Sequence, residues 1–556
     1  MPIKITYINK DINEYDSFVE ITQIPNFNLV SKIFCVNNLT AEISLPDNMN
    51  FPNLLEFYCS DYELMFLPNN MNLPNLFDFN CSGNELTFLP NNMNFPNLQI
   101  FNCNDNQLTL LQALPCGSSV QFARCAPDNM NFPNLQIFNC NDNQLTLLPD
   151  NMNFPNLLEF NCSYNNLTSL PNMNLLNLQK FSCSNNKLRF IPDNMNLPNL
   201  QTFSCYSNQL TSLPDNMNLP NLLEFVCSIN QLTTLPNNMN FPNLLIIDCN
   251  NNQLTALPDM NFPNLRKFHC SNNNLTALPN MNFHNLEEFH CYKNNLTTLP
   301  NMNLPNLETL YCSYNNLTAL HDMNLPNLQT FNCSSNNLTS LPDNMNFHNL
   351  QEFNCSNNNL TSLPDNMNFP NLCEFRCSDN DLTSLPNMNF PNLETFWCSN
   401  NKLTLLPDNM NFPNLKGFSC KNNKLTSLPA CILNFKNLEC FHHHCNEYTD
   451  LSPQMEQFID IKKDQGYIKR DLCFTDDLNV IKLLLEEGMH IDAWGICGYT
   501  AIHYHAKEGN FDIVKYLLSK GADVNKKSIY RDDIYKDALA WGQSEIYEYL
   551  IKNKSQ

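Results

Sequence analysis

Glycine is almost missing, with 10 residues in a chain of 556. No G-x-G-x-x-G or P-loop turn is available to cradle phosphates, no G-x-S-x-G elbow can present a nucleophile, and H-E-x-x-H does not occur. An enzyme is therefore not expected, and no cofactor is implied. Cations are scarce too: 30 Lys and Arg stand against 53 Asp and Glu, a formal net charge of -23, and the basic runs are as short as Lys526-Lys527. Binding to nucleic acid needs clustered Lys and Arg to release counterions from phosphate, so a nucleic-acid partner is not expected either. No apolar run approaches the ~18 residues that span a bilayer. The N-terminal MPIKITYINKDINEYDSF has no apolar core of the kind a secretory signal needs. The expectation is an intracellular, cytoplasmic chain with no membrane partner, monomeric and bound to other proteins.

What the chain has in quantity is asparagine, leucine, 39 Phe, 35 Pro and 26 Cys. Seventeen of the cysteines, from Cys59 to Cys420, are spaced 21 or 22 residues apart at every step but one. Around most of them runs L-x-x-F-x-C-x-x-N-x-L-T-x-L-P, as in Leu178, Phe181, Cys183, Asn186 and Leu188. Phe181 and Cys183 are two apart, so in an extended segment both point to one face, while Ser182 and Ser184 point to the other. A single copy cannot bury its apolar face, so the copies must stack, with neighbouring strands parallel and ~4.8 Å apart. The asparagine of each copy, such as Asn84, Asn165, Asn252 or Asn358, falls where the chain leaves the strand, and its amide can satisfy backbone groups buried there. Proline after the following leucine disfavours helix, so the return limb D-N-M-N-F-P-N should be extended or a tight turn. Met152 and Phe154 would fill the core from that side.

The motif resembles the leucine-rich repeat, with Phe and Cys at two of its leucine positions, and the short L-T-x-L-P tail is similar to a compact subclass of that family. The resemblance implies a repeat solenoid: a parallel-β horseshoe with an irregular convex side. About 19 copies are expected over 29–448, behind an N-terminal cap at 1–28. An insert at 112–126, QALPCGSSVQFARCA, lies between the identical segments 92–111 and 129–148. It reads as duplication filler in a loop, with Cys116 and Cys125 as a less favoured redox or metal pair.

From about 449 the period changes to 33 residues: Gly488 precedes Gly521, and Gly542 follows Gly509, by that step. Thr500, Ala501, His503, Ala506, Gly509, Ile513, Leu517, Gly521 and Asn525 resemble the ankyrin repeat, which implies a small all-α domain of two to three copies over 449–556. Thr500 should cap its helix through the hydroxyl, Gly509 should end it in a left-handed turn, and His503 should be a structural hydrogen bonder. The pairing of the two repeat types in an Asn-rich, Gly-poor chain also resembles repeat proteins of giant viruses that infect amoebae, which would imply a role in the host or the virion.

The rung cysteines are expected to act as small buried hydrophobes, because no base recurs beside them and collinear sulfurs cannot surround one zinc. Candidate ligands for a metal are Cys440, His442, His444 and Cys445, although strand alternation sends His443 inward and splits the set. Partner-binding candidates are the outward aromatics and arginine: His269, His290, Tyr292 and Tyr311 in adjacent copies, and Arg376 beside Trp397. Acids recur on the same outward side at Glu56, Asp78, Glu159, Glu224, Glu288, Glu352 and Glu374. The function expected is a protein–protein interaction scaffold with the ankyrin module as a second docking surface. A ubiquitin-ligase substrate adaptor and a zinc-binding protein at 440–445 are the alternatives.

Overall fold

The computed structural model describes residues 3–552, apart from 17–20, 22–26, 36–44, 46–47, 112–131, 465–471, 474–477, 487–488, 494–498, 529–532 and short stretches at 69, 91–92, 94, 150–151, 153, 280–282, 301–302, 322, 344, 346, 366 and 368. Cys116, Cys125, Gly488 and the insert therefore lie outside the described residues. The chain divides into two compact units, Met1–Phe268 and His269–Gln556.

In the first unit, strands β1 (Ile3–Tyr7) and β2 (Ile12–Tyr15) form an antiparallel hairpin, and β1 also runs antiparallel to β3 (Val30–Cys35). From β3 onward, three-residue strands pair in parallel without slip: Glu159 faces Lys180, Phe160 faces Phe181 and Asn161 faces Ser182. The alternation fixes this register. The middle Phe and the Cys two residues on are both buried, whereas a one-residue slip would put them in water. The Phe rings stack along the array, with Phe138 and Phe160 at 5.5 Å and 3° between planes. Phe132 and Phe154 of the return limbs form a second column at 6.1 Å that meets the first edge-on, Phe138 to Phe154 at 5.7 Å and 74°. Each buried Phe contributes roughly 1.5–3 kcal/mol from burial, and each ring pair about 0.5–1.5 kcal/mol more. The return-limb Phe or Leu is buried as expected, but Met152 stays partly exposed where Met173 and Met388 are buried.

Cys103 and Cys140 flank the undescribed insert, yet their copies stack directly. Ile100 pairs with Ile137, and Asn143 Nδ2 donates to Cys103 O at 3.0 Å.

Asparagine carries the polarity because it builds three ladders. At the corner, Asn165 Nδ2 donates to Cys140 O, Cys162 O and Ser163 O at 3.0–3.1 Å, while its Oδ1 accepts from Leu145 N at 2.8 Å. On the limb, Asn196 Nδ2 donates to Asn174 Oδ1 at 2.7 Å. At the turn, Asn177 Nδ2 donates to Pro155 O at 2.8 Å. Two residues after each rung Cys the backbone turns through the left-handed region with side chains of every kind: Tyr164 (φ 53°), Ile229 (52°), Lys293 (51°), Asn357 (54°).

The second unit continues the pattern from the strand Glu288–His290 to the strand Cys440–His442, with Phe353 and Phe375 stacked at 5.5 Å. Helix α1 (Pro453–Asp464) follows and lays Phe458 against Phe441 at 6.3 Å. Helices α2 (Leu478–Glu486), α3 (Ala501–Glu508), α4 (Phe511–Ser519), α5 (Ile534–Ala540) and α6 (Ser544–Lys552) share a core of Ile481, Ile502, Ala506, Val514, Leu517, Ile534, Ile546 and Leu550. Gly509 ends α3 at φ 85°, as the left-handed turn requires. The Thr500 expectation is corrected: its hydroxyl makes no capping bond to the backbone and instead meets His503 Nδ1 at 2.7 Å. A buried imidazole facing it needs that partner. Among the described residues no helix is long and apolar enough to cross a membrane.

Candidate functional site

The two sheet faces have different chemistry because the alternation separates them. On the inner face all seventeen rung cysteines are buried. Burial pushes the Cys312 and Cys420 thiols up to about 12, since a thiolate there would be stripped of water. Several also donate weakly to the next copy, Cys162 Sγ to Ser182 O at 3.5 Å. A nucleophile or metal ligand needs the opposite: a lowered pKa and access.

The outer face holds the candidate binding residues. In the first unit the acid stripe is largely partnered. Lys32 Nζ meets Glu56 Oε1 at 2.6 Å, Lys180 Nζ meets Glu159 Oε1 at 2.6 Å, and the Tyr58 hydroxyl donates to Asp78 Oδ2 at 2.6 Å. Burial, more than any neighbouring charge, raises the Asp78 pKa. Hydroxyls run between copies from Ser163 to Ser182 (2.7 Å), Ser184 (3.2 Å) and Ser204 (2.7 Å). A groove of about 420 Å³ opens here, lined among others by Ile137, Glu159, Lys180, Glu224 and Val226. Glu224 forms no ion pair among the described residues. Two of the four acids here are thus balanced by lysine, one is held by a tyrosine hydroxyl, and Glu224 is left over.

In the second unit one expected binding patch meets the chain's own C-terminal module, and the other lines a cavity together with it. Trp541, at the end of α5, sits 6.4 Å from Tyr292 and 6.1 Å from Tyr311 by ring centroids. The Tyr292 hydroxyl donates to Leu539 O at 3.3 Å, and Lys293 Nζ donates to Trp541 O at 2.7 Å. Lys507 Nζ lies 4.3 Å from the centre of the Trp541 ring, within cation–π range. Arg376, Trp397, Tyr504, Glu508 and Trp541 border a cavity of about 240 Å³. Arg376 pairs with Glu374. The expectation of exposed aromatics is corrected: Tyr292 is 3% exposed and Trp397 8%. Burial lowers the Lys293 pKa, with Glu508 working against the shift.

Next to this contact, the His269 and His290 rings stack at 4.3 Å, and His290 lies 4.8 Å from Tyr311. His269 Nε2 is 3.5 Å from Glu288 Oε2. The metal candidates read from the sequence do not converge. Cys440 is buried against Gly417, Cys445 is exposed, the His442 and His444 rings are 6.2 Å apart, and no three donors of this set come together. Alternation along the strand, carried into a left-handed turn at Cys445 (φ 58°), spreads them apart.

Sequence reasoning missed Trp541. Its signal was a large aromatic beside Gly542 at a helix end, in a chain with 3 Trp. His505 stands on α3, four residues before Gly509. It is buried, with Nε2 2.7 Å from Leu472 O and Nδ1 3.1 Å from Asn510 Nδ2, so it ties α3 to the segment before it.

Residues 472–556 match the family model for ankyrin repeats (3 copies). The ankyrin repeat protein FPV242 of Fowlpox virus (strain NVSL) is 38% identical over 59 residues, 11% of this chain and 16% of that protein. A protein of Arabidopsis thaliana named as the E3 ubiquitin-protein ligase XBAT34 is 39% identical over 83 residues, 14% of this chain and 21% of its own length. The chain thus spans about a fifth or less of these two relatives. Among solved structures, YopM from Yersinia enterocolitica WA-314 superposes with a TM-score of 0.58 and 28% identity over 76% of this chain and 88% of that one. YopM from Yersinia pestis, described as a leucine-rich effector protein, is 28% identical over 66% of this chain and 88% of that one, with a TM-score of 0.48. The chain is a parallel-β repeat solenoid similar in fold to its leucine-rich-repeat neighbours, and its residues 472–556 match ankyrin repeats.

Proposed function

We propose that the chain is a non-enzymatic scaffold for protein–protein interaction inside the cell, with its partner bound on the outer face of the first unit's sheet. The observation that carries this reading is the groove over 137–226. Its outward side chains stand on in-register strands held by the asparagine corners, and they combine apolar Ile137 and Val226 with the acid Glu224, which has no ion pair among the described residues. Rigid strands keep such side chains in place at little entropic cost on binding. A partner segment offering one apolar side chain beside a Lys or Arg fits this arrangement. Affinity capture with the full chain, compared with a Glu224→Lys plus Val226→Asp variant, tests it. A partner retained by the wild type and lost by an equally stable variant supports the reading, and identical partner sets refute it.

A second reading, a ubiquitin-ligase adaptor with the ankyrin module as the second docking surface, is favoured by the likeness to the plant ligase and the viral ankyrin protein. Co-purification of a ligase subunit that depends on residues 472–552 supports it. Its absence from captures that do contain a partner excludes it. A setting in a host cell or virion belongs to the scaffold reading, and the viral relative supports it.

A further inference from the structure

Three side chains on the outer face of the second unit have a chemistry that no neighbouring copy repeats. Glu288 and His290 are two apart on one strand and so leave it on the same side. His269 belongs to the adjacent strand, as the bond from Cys270 N to His290 O at 2.8 Å shows. One donor atom from each of the three lies within 4.8 Å of the others, the one such group among the described residues. Other copies carry small neutral groups at the histidine position, such as Asn332, Asn354 and Ser419. Packing alone therefore does not call for two imidazoles there.

We propose that His269, Glu288 and His290 bind one divalent transition-metal ion, with zinc the best fit. Two imidazole nitrogens and a carboxylate oxygen are a donor set zinc accepts, and three protein ligands leave a fourth position for water or a partner's side chain. Zinc–nitrogen bonds of about 2.0–2.1 Å place tetrahedral donors roughly 3.4 Å apart. The donors reach that spacing when the two rings turn out of their stack so that their lone pairs converge. The partly buried setting, 19% and 31% side-chain exposure for His269 and Glu288, leaves room for that turn.

The test is titration of the full chain, stripped with chelator and reduced, with Co²⁺ and then Zn²⁺. Saturation at one equivalent is expected, with the visible absorption of a nitrogen- and oxygen-ligated cobalt ion, no sulfur-to-cobalt charge transfer, and displacement by zinc. His290→Asn, which installs the residue other copies carry, should weaken binding by about 100-fold, the upper end of the cost of losing even an outer-sphere partner. Glu288→Gln should weaken it as well, and Cys445→Ser should leave it unchanged. Sulfur-ligated cobalt, no saturable equivalent with excess Co²⁺, or full affinity in both His290→Asn and Glu288→Gln overturns the proposal.

Discussion

Replacing Asn380 by Leu removes one corner of the asparagine ladder while nearly conserving volume. Asn380 Nδ2 donates to Cys355 O, Cys377 O and Ser378 O at 3.1–3.2 Å, and its Oδ1 accepts from Leu360 N at 3.0 Å. The three carbonyls keep other donors: Cys355 O has Asn358, Cys377 O has Asn401, and Ser378 O has the Asn357 amide. Leu360 N–H loses its side-chain acceptor in a dry interior, which costs about 1–3 kcal/mol, and the lost bonds to the half-satisfied carbonyls bring the total to about 3–5 kcal/mol. Trp397 is buried on the strand paired with Glu374–Arg376, one copy along, so its fluorescence follows this region. Repeat arrays couple through nearest neighbours, so urea unfolding of the variant should show an earlier transition around Trp397 while the far-ultraviolet dichroism of distant copies is retained. The half-exposed terminal corner, Asn446→Leu, should cost less. A loss below about 1 kcal/mol for Asn380→Leu would refute the ladder as the element that holds the corners.

Ile229 is a β-branched residue held at φ 52°, so Ile229→Asn should stabilise its copy by about 1 kcal/mol in urea titrations. Trp541→Ala should remove about 2 kcal/mol from the docking of the ankyrin module. The loss should read out as faster hydrogen exchange at Leu539 to Gly542, and unchanged exchange would contradict the contacts to Tyr292 and Lys293. Alkali should unfold the array: the rung thiols are pushed up by burial, so the folded state holds their protons and the unfolded state does not. The stabilisation is therefore full below the ordinary thiol pKa and falls as pH rises from there toward about 12. Each cooperating rung loses about 1.4 kcal/mol per pH unit. A stability that stays flat as pH rises from about 9 toward 11 would count against this.

The solenoid was legible because its signals are local and repeated: the spacing of Phe and Cys fixes the buried face, and the recurrent Asn fixes the corner. The left-handed position escaped notice because it is occupied by Asp, Tyr, Ser, Ile, Lys and Asn alike, with glycine there only once among the rungs, at Gly83. The cluster of His269, Glu288 and His290 was hidden for a different reason. Its members are neighbours only once parallel register aligns successive copies, and in sequence the two histidines read as aromatic surface. Trp541 could not be placed on Tyr292 by any period, because that contact joins two repeat types with different frames. The ion pairs from Lys32 to Glu56 and from Lys180 to Glu159 also depend on register, which is why the acids alone suggested a charged stripe.

Native alkylation, resolved cysteine by cysteine with mass spectrometry at mildly alkaline pH, reaches the core of this description. Cys445, exposed at the last turn, should react at once, and Cys59 to Cys420 on the rungs should stay unmodified until denaturant is added. Rapid labelling of most rungs in the native protein would contradict a stack built on buried sulfur.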